Sequence, residues 1–419
     1  MNRRLWENLA SLYGVHAFNY LIPLVTLPYL ARVLGPEQWG ALAFADAYAR
    51  FVSLAIEYGF GLSATREIAR IRDDSHARGR QLAAVFAAQL LLGAAALLVT
   101  VILARYMPIF ASHRWLLPGA FFLAISQGTA PMWYFQGIER VRLMGALWIF
   151  GRIAGALALF LFVRSPNDGP LALFIQGIAP FLCVIGGLLV AYRDTPFYWP
   201  SIQSGWKALH SGGALFLFRA GGTLYSALNV LLLGMFAPAL IVAWFAGAEK
   251  ISRGAIAAWG PINQVFYPRI NHLMTTDRKG AAQATRWSAW LMMAAGTGMG
   301  LFLFAFAPLL VKLALGPGFE PAGRVLRAMA VLPAVIALSN VLGAQWMLAL
   351  RLDKELNYII LGAGLVNLAG ALTLGRWYQP MGMAFSLVIA ETFVVVGAFV
   401  FLRWRKLDPW RGSLAESVS

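Results

Sequence analysis

Two pairs of oppositely charged residues inside strongly apolar stretches are the residues of this sequence best suited to chemistry. Asp46 and Arg50 form the first pair, Glu249 and Arg253 the second, and in both the base follows the acid by four positions. On a helix this spacing places the two groups on one face within pairing distance. Because charge in an apolar environment is costly, each pair is either a functional site or a neutralised structural pair. The sequence leaves both interpretations open.

Arginine is the residue type that decides what such a site would bind. Its guanidinium group keeps its charge and can bind phosphate oxygens in a bidentate manner, so grouped arginines predict a phosphate-bearing ligand. We therefore expect Arg50 and Arg253 to bind the ligand. Arg219 joins them as a third candidate, because the sequence offers it no obvious acidic partner within one helical turn.

Carboxylates and other polar side chains of the apolar stretches form a second group of candidates. Four acids are candidates for coupling to an ion, namely Asp46, Glu57, Glu249 and Glu391, and a neutral structural carboxyl is the alternative for Glu391. Three polar residues of the first apolar stretch are candidates for lining a cavity, namely His16, Asn19 and Tyr20. The five histidines are scattered without zinc-type spacing and Cys183 is the single cysteine, so we expect neither a metal site nor a cofactor.

The composition excludes several classes of protein. Hydrophobic residues make up 60% of the 419 residues and charged residues only 12%, with a mean hydropathy of +0.67. A soluble protein cannot bury that much apolar surface, so a soluble enzyme, a disordered protein and a disulfide scaffold are excluded. The net charge of +16 lies in segments between apolar stretches, which indicates contact with a membrane surface rather than with nucleic acid.

The apolar stretches predict an all-α polytopic membrane protein with about twelve transmembrane helices. Each stretch is long enough for the roughly 20 residues that a bilayer requires. They begin near Leu9, Gly40, Leu82, Trp115, Gly145, Gly169, Ala214, Pro238, Trp287, Leu326, Leu356 and Met381. Arg152 in the fifth stretch is expected only to extend toward the nearer membrane interface.

The distribution of Lys and Arg predicts the orientation of these spans. Most of the 34 basic residues fall in the segments that share a side with the N-terminus, and few fall in the opposite segments. The excess of positive charge on the inner side of a membrane therefore predicts that both termini are cytoplasmic. All predicted outer loops are short, so we expect no outer catalytic domain.

Recurring positions indicate an internal repeat. Asp46, Arg50 and Arg66 recur as acid and arginine residues 203 positions later, at Glu249, Arg253 and Arg269. Six spans per half is an even number, so both halves would enter the membrane from the same side, as a parallel repeat. We expect two six-helix lobes around a central cavity, with residues 1–192 and 214–403 forming the lobes, 193–213 a cytoplasmic linker and 404–419 a cytoplasmic tail.

Four segments resemble the Wzx-type polysaccharide repeat-unit flippases, which belong to the multidrug/oligosaccharidyl-lipid/polysaccharide exporter superfamily. The first two are residues 32–40 (RVLGPEQWG) and 57–70 (EYGFGLSATREIAR), which are fairly specific for the polysaccharide branch. The weaker ones are residues 133–140 (WYFQGIER) and 248–251 (AEKI), the latter followed by Pro261 and by 267–270 (YPRI). The resemblance extends over essentially the whole chain.

This resemblance implies a twelve-helix fold of two six-helix lobes around a V-shaped cavity. It also implies alternating access that moves an undecaprenyl-diphosphate-linked oligosaccharide to the periplasmic leaflet. In related lipid flippases, arginines of spans 1, 2 and 8 hold the diphosphate, and Arg50 and Arg253 match those of spans 2 and 8. Span 1 departs from the pattern, because His16 and Asn19 lie at its middle and no arginine does.

We therefore expect a flippase of O-antigen, capsule or exopolysaccharide units, not an enzyme. The expected partners are the lipid-linked oligosaccharide and membrane lipid, without nucleic acid. Contact with polysaccharide polymerase or ligase machinery, the glycan and the coupling ion are left open. One alternative is a multidrug or metabolite exporter of the same fold. A membrane-embedded glycosyltransferase or polymerase is the other, and the short outer loops disfavour it.

Overall fold

The structure is a computed structural model that describes residues 3–257 and 259–410. Within the helices, the side chains of residues 3–21, 24, 103, 211–227 and 261 are outside the description. Contacts divide the chain into two compact units, Met1–Ala243 and Trp244–Ser419, and each is described by itself. All regular structure in the described residues is helical, so the prediction of an all-α protein is confirmed.

The first unit begins with a long helix that is interrupted once. Helix α1 spans Arg3–Glu57, and Gly35 within it has φ 71° and ψ 167°. Only glycine adopts this conformation without strain, and Pro36 prevents the preceding residue from being helical. The interruption separates the first predicted span from the second. The unit continues with α2 (Phe60–Arg70), α3 (Ser75–Leu103), α4 (Pro108–Ser112), α5 (Leu116–Gly128), α6 (Met132–Gly137), α7 (Val141–Phe162), α8 (Gly169–Asp194) and α9 (Ile202–Phe236).

Helix α10 (Ala239–Ile256) crosses the boundary between the units. The second unit then contains α11 (Trp259–Thr276), α12 (Arg278–Ala314), α13 (Ala322–Met329), α14 (Leu332–Ser339), a π-helix (Asn340–Met347) and α15 (Asp353–Trp404). Helix α15 is interrupted at Gln379, which has φ 50° and precedes Pro380. Both long helices therefore break immediately before a proline.

The twelve predicted spans all fall on helical segments of the structure, although the stretches from Trp115 and Leu326 are each divided among shorter helices. Six segments of the described residues are individually long and apolar enough to cross a membrane, and they are Ser75–Ile102, Val141–Phe162, Pro166–Asp194, Arg278–Ala314, Ala322–Met347 and Asp353–Trp404. Helix α10 differs from these segments because its 18 residues include three charged ones, Glu249, Lys250 and Arg253. The fold is therefore that of a polytopic membrane protein.

The predicted linker at 193–213 covers the end of α8, a short non-helical segment and the first part of α9. Helix α8 ends at Asp194, and residues 195–201 have no regular structure. Helix α9 begins at Ile202, and its N-cap residue Ser201 accepts a hydrogen bond from the Ser204 amide. The division by contacts lies further along the chain, at Ala243. Because the repeat rests on sequence spacing, the boundaries of the two lobes stay a prediction.

Several arginines of the predicted cytoplasmic segments connect neighbouring loops of the first unit. Arg140 pairs with the Asp194 carboxylate at 2.5 Å, and Arg78 donates to the Asp194 carbonyl oxygen and to the Tyr134 hydroxyl, both at 3.3 Å. Asp74 caps α3 by accepting a hydrogen bond from the Ala77 amide, and this bond lowers the pKa of the Asp74 carboxyl. These contacts fix the ends of α3, α6 and α8 relative to one another.

Gly40, the last residue of the 32–40 segment, packs directly against the start of α10. A Cβ atom at this position would overlap the Ala239 carbonyl oxygen and would lie 2.9 Å from the Ala243 nitrogen. Gly234 near the end of α9 similarly faces the Phe44 ring. Backbone approach this close requires small residues, as is common where membrane helices meet.

We predict that Gly40→Ala lowers the thermal stability of the purified protein, because backbone atoms rather than a flexible side chain oppose the new methyl group. Overpacking of this kind typically costs about 1–3 kcal/mol. Gly145→Ala is the matched control, since a Cβ there meets nothing within 4 Å. Measurement of the unfolding temperature in detergent tests this packing, and equal values for both variants would contradict it.

Candidate functional site

The first acid–base pair lies on the part of α1 that follows the interruption at Gly35. The Arg50 Nε atom is 3.2 Å from the Asp46 Oδ2 atom. The Asp46 side chain is 11% exposed, whereas that of Arg50 is 59% exposed. The carboxylate is therefore held inside the unit and the guanidinium group covers it from the accessible side.

The second pair, on α10, has the same arrangement. Arg253 donates from Nε and Nη2 to the Glu249 Oε1 atom at 3.0 and 2.7 Å. The Glu249 side chain is 8% exposed and that of Arg253 is 47% exposed. Both pairs follow from the four-residue spacing on a helix, and the predicted proximity of each acid to its arginine is confirmed.

The two pairs share an asymmetry that decides which group a ligand can reach. In each, the acid is buried and the arginine is about half exposed. An approaching molecule therefore meets the cation first, with the carboxylate behind it. Chemically, such a surface can accept an anion, and the neighbouring carboxylate keeps the empty site close to neutral.

The other candidate acids do not lie beside these pairs along their own helices. Glu57 is the last residue of α1, about 16 Å along the helix from Asp46 at 1.5 Å per residue. Glu391 lies in the second part of α15 and is half-buried. Lys250 follows Glu249 on α10 and is exposed. The candidate acids are therefore spread over three helices.

Four candidates fall on side chains outside the description. His16, Asn19 and Tyr20 belong to the first part of α1, and Arg219 belongs to α9. Their contribution to a binding site stays a prediction. Among the described residues, no group of three or more His, Cys, Asp or Glu side chains is placed to hold a metal ion.

The structure adds a residue that sequence spacing did not assign to the site. Arg152 of α7 interacts electrostatically with both Asp46 and Arg50 of α1, and its guanidinium carbon lies 5.5 Å from the centroid of the Trp148 ring. The expectation that Arg152 extends to the nearer interface does not fit, because the residue lies at the middle of the 22-residue helix. Only the packing of α7 against α1 reveals this neighbourhood.

Three aromatic residues that flank the apolar stretches belong to the hydrophobic core. Trp133 and Tyr134 of α6 are 2% and 0% exposed, and Trp259 at the start of α11 is 4% exposed. Trp133 and Tyr134 pack with Phe60, Ile68 and other residues of the first unit. Side chains this deeply buried stabilise the fold and offer no face for stacking on a sugar.

Comparison with known proteins places this chain in a family. A family described as polysaccharide biosynthesis protein matches residues 5–274. A protein of Escherichia coli (strain K12) named "Putative O-antigen transporter" is 30% identical over 408 residues, which cover 96% of this chain and 98% of that protein.

Two solved structures share the fold at low sequence identity. The lipid II flippase MurJ in an inward closed conformation superposes with a TM-score of 0.72 at 12% identity, covering 94% of this chain and 87% of that one. An inward-facing multidrug resistance MATE family transporter of the MOP superfamily has a TM-score of 0.68 at 15% identity, covering 94% and 96%. With its near full-length relative and the family match over more than half of its length, the chain belongs to the polysaccharide biosynthesis protein family.

Proposed function

We propose that this protein flips oligosaccharides linked to undecaprenyl diphosphate from the cytoplasmic to the periplasmic leaflet of the bacterial inner membrane. The observation that carries the proposal is the similarity over 96% of the chain to a protein named for O-antigen transport. The shared fold with a lipid II flippase supports movement of a lipid-linked substrate. The relatives are named for transport, so the chemistry required is binding and release, without any covalent step.

The diphosphate is the part of such a substrate that most needs stabilisation by the protein during transfer across the membrane. It carries negative charges that hydrocarbon does not solvate, whereas the polyprenyl tail stays in the lipid. In the proposed mechanism Arg50, Arg253 and Arg219 hold the diphosphate in a cationic cavity. The half-exposed guanidinium groups of Arg50 and Arg253 support this role, since charged groups within membrane helices usually face a protein interior or a water-filled space.

Alternating access would then carry the bound group across the membrane. We place the bending points near Pro36 and Pro238, by analogy with transporters whose halves rock around a fixed site. The chain offers two local features that suit bending there. Helix α1 is interrupted at Gly35, and α9 ends at Phe236 with an extended Ala237 before α10 begins.

The acids would couple this cycle to an ion gradient. Asp46 and Glu249 are the strongest candidates of the four, because each contacts the arginine proposed to bind the substrate. A proton or cation that binds the carboxylate would break its ion pair with the arginine. The arginine would then be available to bind the diphosphate. Glu57 and Glu391 belong to the same proposal as secondary sites on α1 and α15.

The test of the proposed function is transport in proteoliposomes with a fluorescent polyprenyl-diphosphate oligosaccharide. We expect wild type to move the lipid, and Arg50→Ala and Arg253→Ala to reduce the rate at least ~10-fold, the equivalent of about one lost charge-assisted hydrogen bond. Arg105→Ala is the control, because Arg105 lies in an exposed loop after α3. Normal transport by folded Arg50→Ala and Arg253→Ala variants would show that those arginines serve only in structural ion pairs.

The same vesicles separate the proposal from its alternatives. Export of a cationic drug without movement of the lipid-linked sugar would identify a multidrug exporter of this fold. Transfer of sugar to an acceptor by the purified protein would identify a glycosyltransferase or polymerase. Either result would overturn the proposed function.

A second prediction concerns coupling. We expect Glu249→Gln to abolish the dependence of the transport rate on an imposed pH gradient, because the amide cannot exchange a proton. Glu249→Asp should keep that dependence. Glu320→Gln is the matched control, since Glu320 lies in the exposed turn before α13 and bonds to the Gly318 amide. An unchanged pH-gradient response in Glu249→Gln would remove Glu249 from the coupling mechanism.

A third prediction concerns orientation, which we propose places both termini in the cytoplasm. With Cys183→Ala as the background, Asp73→Cys probes the exposed turn between α2 and α3, and Tyr106→Cys probes the exposed turn after α3. An impermeant maleimide should label Tyr106→Cys in intact spheroplasts and Asp73→Cys only after the membrane is opened. The reverse labelling pattern would invert the topology.

A further inference from the structure

We infer that Arg152 is a fourth arginine of the substrate site, which acts with Arg50 to hold the diphosphate within the unit Met1–Ala243. This inference rests on the proposed function and deepens it, because it identifies a residue that specifies a diphosphate over a monophosphate. Three observations carry it: the depth of Arg152 in its helix, its charged neighbours and the orientation of its guanidinium group.

The position of Arg152 at the middle of its helix argues against a role at the membrane interface alone. The residue lies at the midpoint of α7, which spans the 22 residues Val141–Phe162. At 1.5 Å per residue, the midpoint is roughly 15 Å from either end of the helix. An arginine side chain extended along the helix falls well short of that distance. A charge at this depth is costly unless it serves a partner or a ligand.

The neighbours of Arg152 form a small cluster across two helices. Helix α7 packs against α1, and Arg152 lies within electrostatic range of Asp46 and Arg50. The Asp46 Oδ2 atom is 3.2 Å from the Arg50 Nε atom. We call these three residues the Asp46 cluster. Two guanidinium groups and one carboxylate carry one net positive charge, so an anion would complete the charge balance of the cluster.

The guanidinium group of Arg152 is oriented by its own helix. Its guanidinium carbon lies over the Trp148 ring, one turn earlier on α7, at 5.5 Å from the ring centroid. A cation–π contact of this kind attracts the cation without using its N–H groups. Its Nε atom is buried and has no hydrogen-bond partner within the described part of the chain. A buried donor of this kind is normally satisfied, and an oxygen-rich ligand would satisfy it.

A diphosphate suits the Asp46 cluster better than a monophosphate does. It presents two phosphate groups, so one can bind Arg50 on α1 while the other binds Arg152 on α7. Each arginine can form two parallel hydrogen bonds to one phosphate. Arginine also cannot lose its proton in a protein, so both cations persist while the site is empty.

The competing explanation is that Arg152 serves only as a structural counter-ion for Asp46. In the structure Asp46 already contacts Arg50, and the like charge of Arg50 opposes that of Arg152. The two explanations differ in what happens to the empty protein when Arg152 is neutralised. Loss of a counter-ion would lower the stability of the empty protein, whereas loss of a binding residue held in an unfavourable place would not.

Binding of a short-chain polyprenyl-diphosphate oligosaccharide and of the matching monophosphate to purified protein tests the inference. We expect Arg152→Gln to weaken binding of the diphosphate about 10-fold, and binding of the monophosphate much less, because one charge-assisted contact is lost. Arg152→Lys should recover part of the affinity, since it restores charge without the bidentate geometry. Arg105→Gln, in an exposed loop, is the control and should bind both compounds as wild type does.

The unfolding temperature of the same samples gives the structural readout. We expect empty Arg152→Gln to unfold at the wild-type temperature or above it, and its stabilisation by the diphosphate to shrink. A lower unfolding temperature of the empty variant, with equal losses for both ligands, would make Arg152 structural and overturn the inference. If wild type binds the diphosphate and Arg152→Gln binds it equally well, the inference fails while the proposed function stands. If wild type does not bind the diphosphate, both fail.

Discussion

The cost of placing charge among apolar helices is the constraint on which this structure depends. Within a span, an ionisable side chain must be paired, hydrated or both, because hydrocarbon offers it no partner. The two acid–arginine pairs satisfy this requirement inside single helices, with the acid buried and the arginine half exposed. Helix α10 shows how densely charge can occur in one span, because three of its 18 residues are charged.

A second constraint is that a membrane helix must reverse direction with few residues. The 32–40 segment (RVLGPEQWG) shows how the sequence meets it. Gly35 provides the positive φ, Pro36 excludes a continuous helix, and Trp39 is buried at 1% exposure. Gly40 then permits the backbone contact with Ala239 at the start of α10. Each of these four residues forms the turn or packs against it. The similarity of this segment to flippases therefore reflects the fold rather than substrate binding.

What the sequence could predict is what depends on local spacing. The twelve apolar stretches all fall on helical segments, and both i,i+4 pairs form, because these features need no knowledge of which helices touch. The position of Arg152 near Asp46 and Arg50 could not be found in this way, since these neighbours lie on α1, about a hundred residues earlier. The burial of Trp133 and Tyr134 and the π-helix at Asn340–Met347 were missed for the same reason. Both depend on how separate helices pack.

The acid beside each arginine also bears on how a flippase releases its substrate. A site of arginines alone would bind a diphosphate tightly in every conformation, and tight binding throughout a cycle slows release. A buried carboxylate within 3.2 Å of the guanidinium competes with the phosphate for the same cation. If the protein works by alternating access as proposed, this competition would operate in both the inward-open and the outward-open state, because the acid is fixed on the same helix. On the proposed function, release therefore requires no removal of charge from the membrane, only the return of each arginine to its own acid.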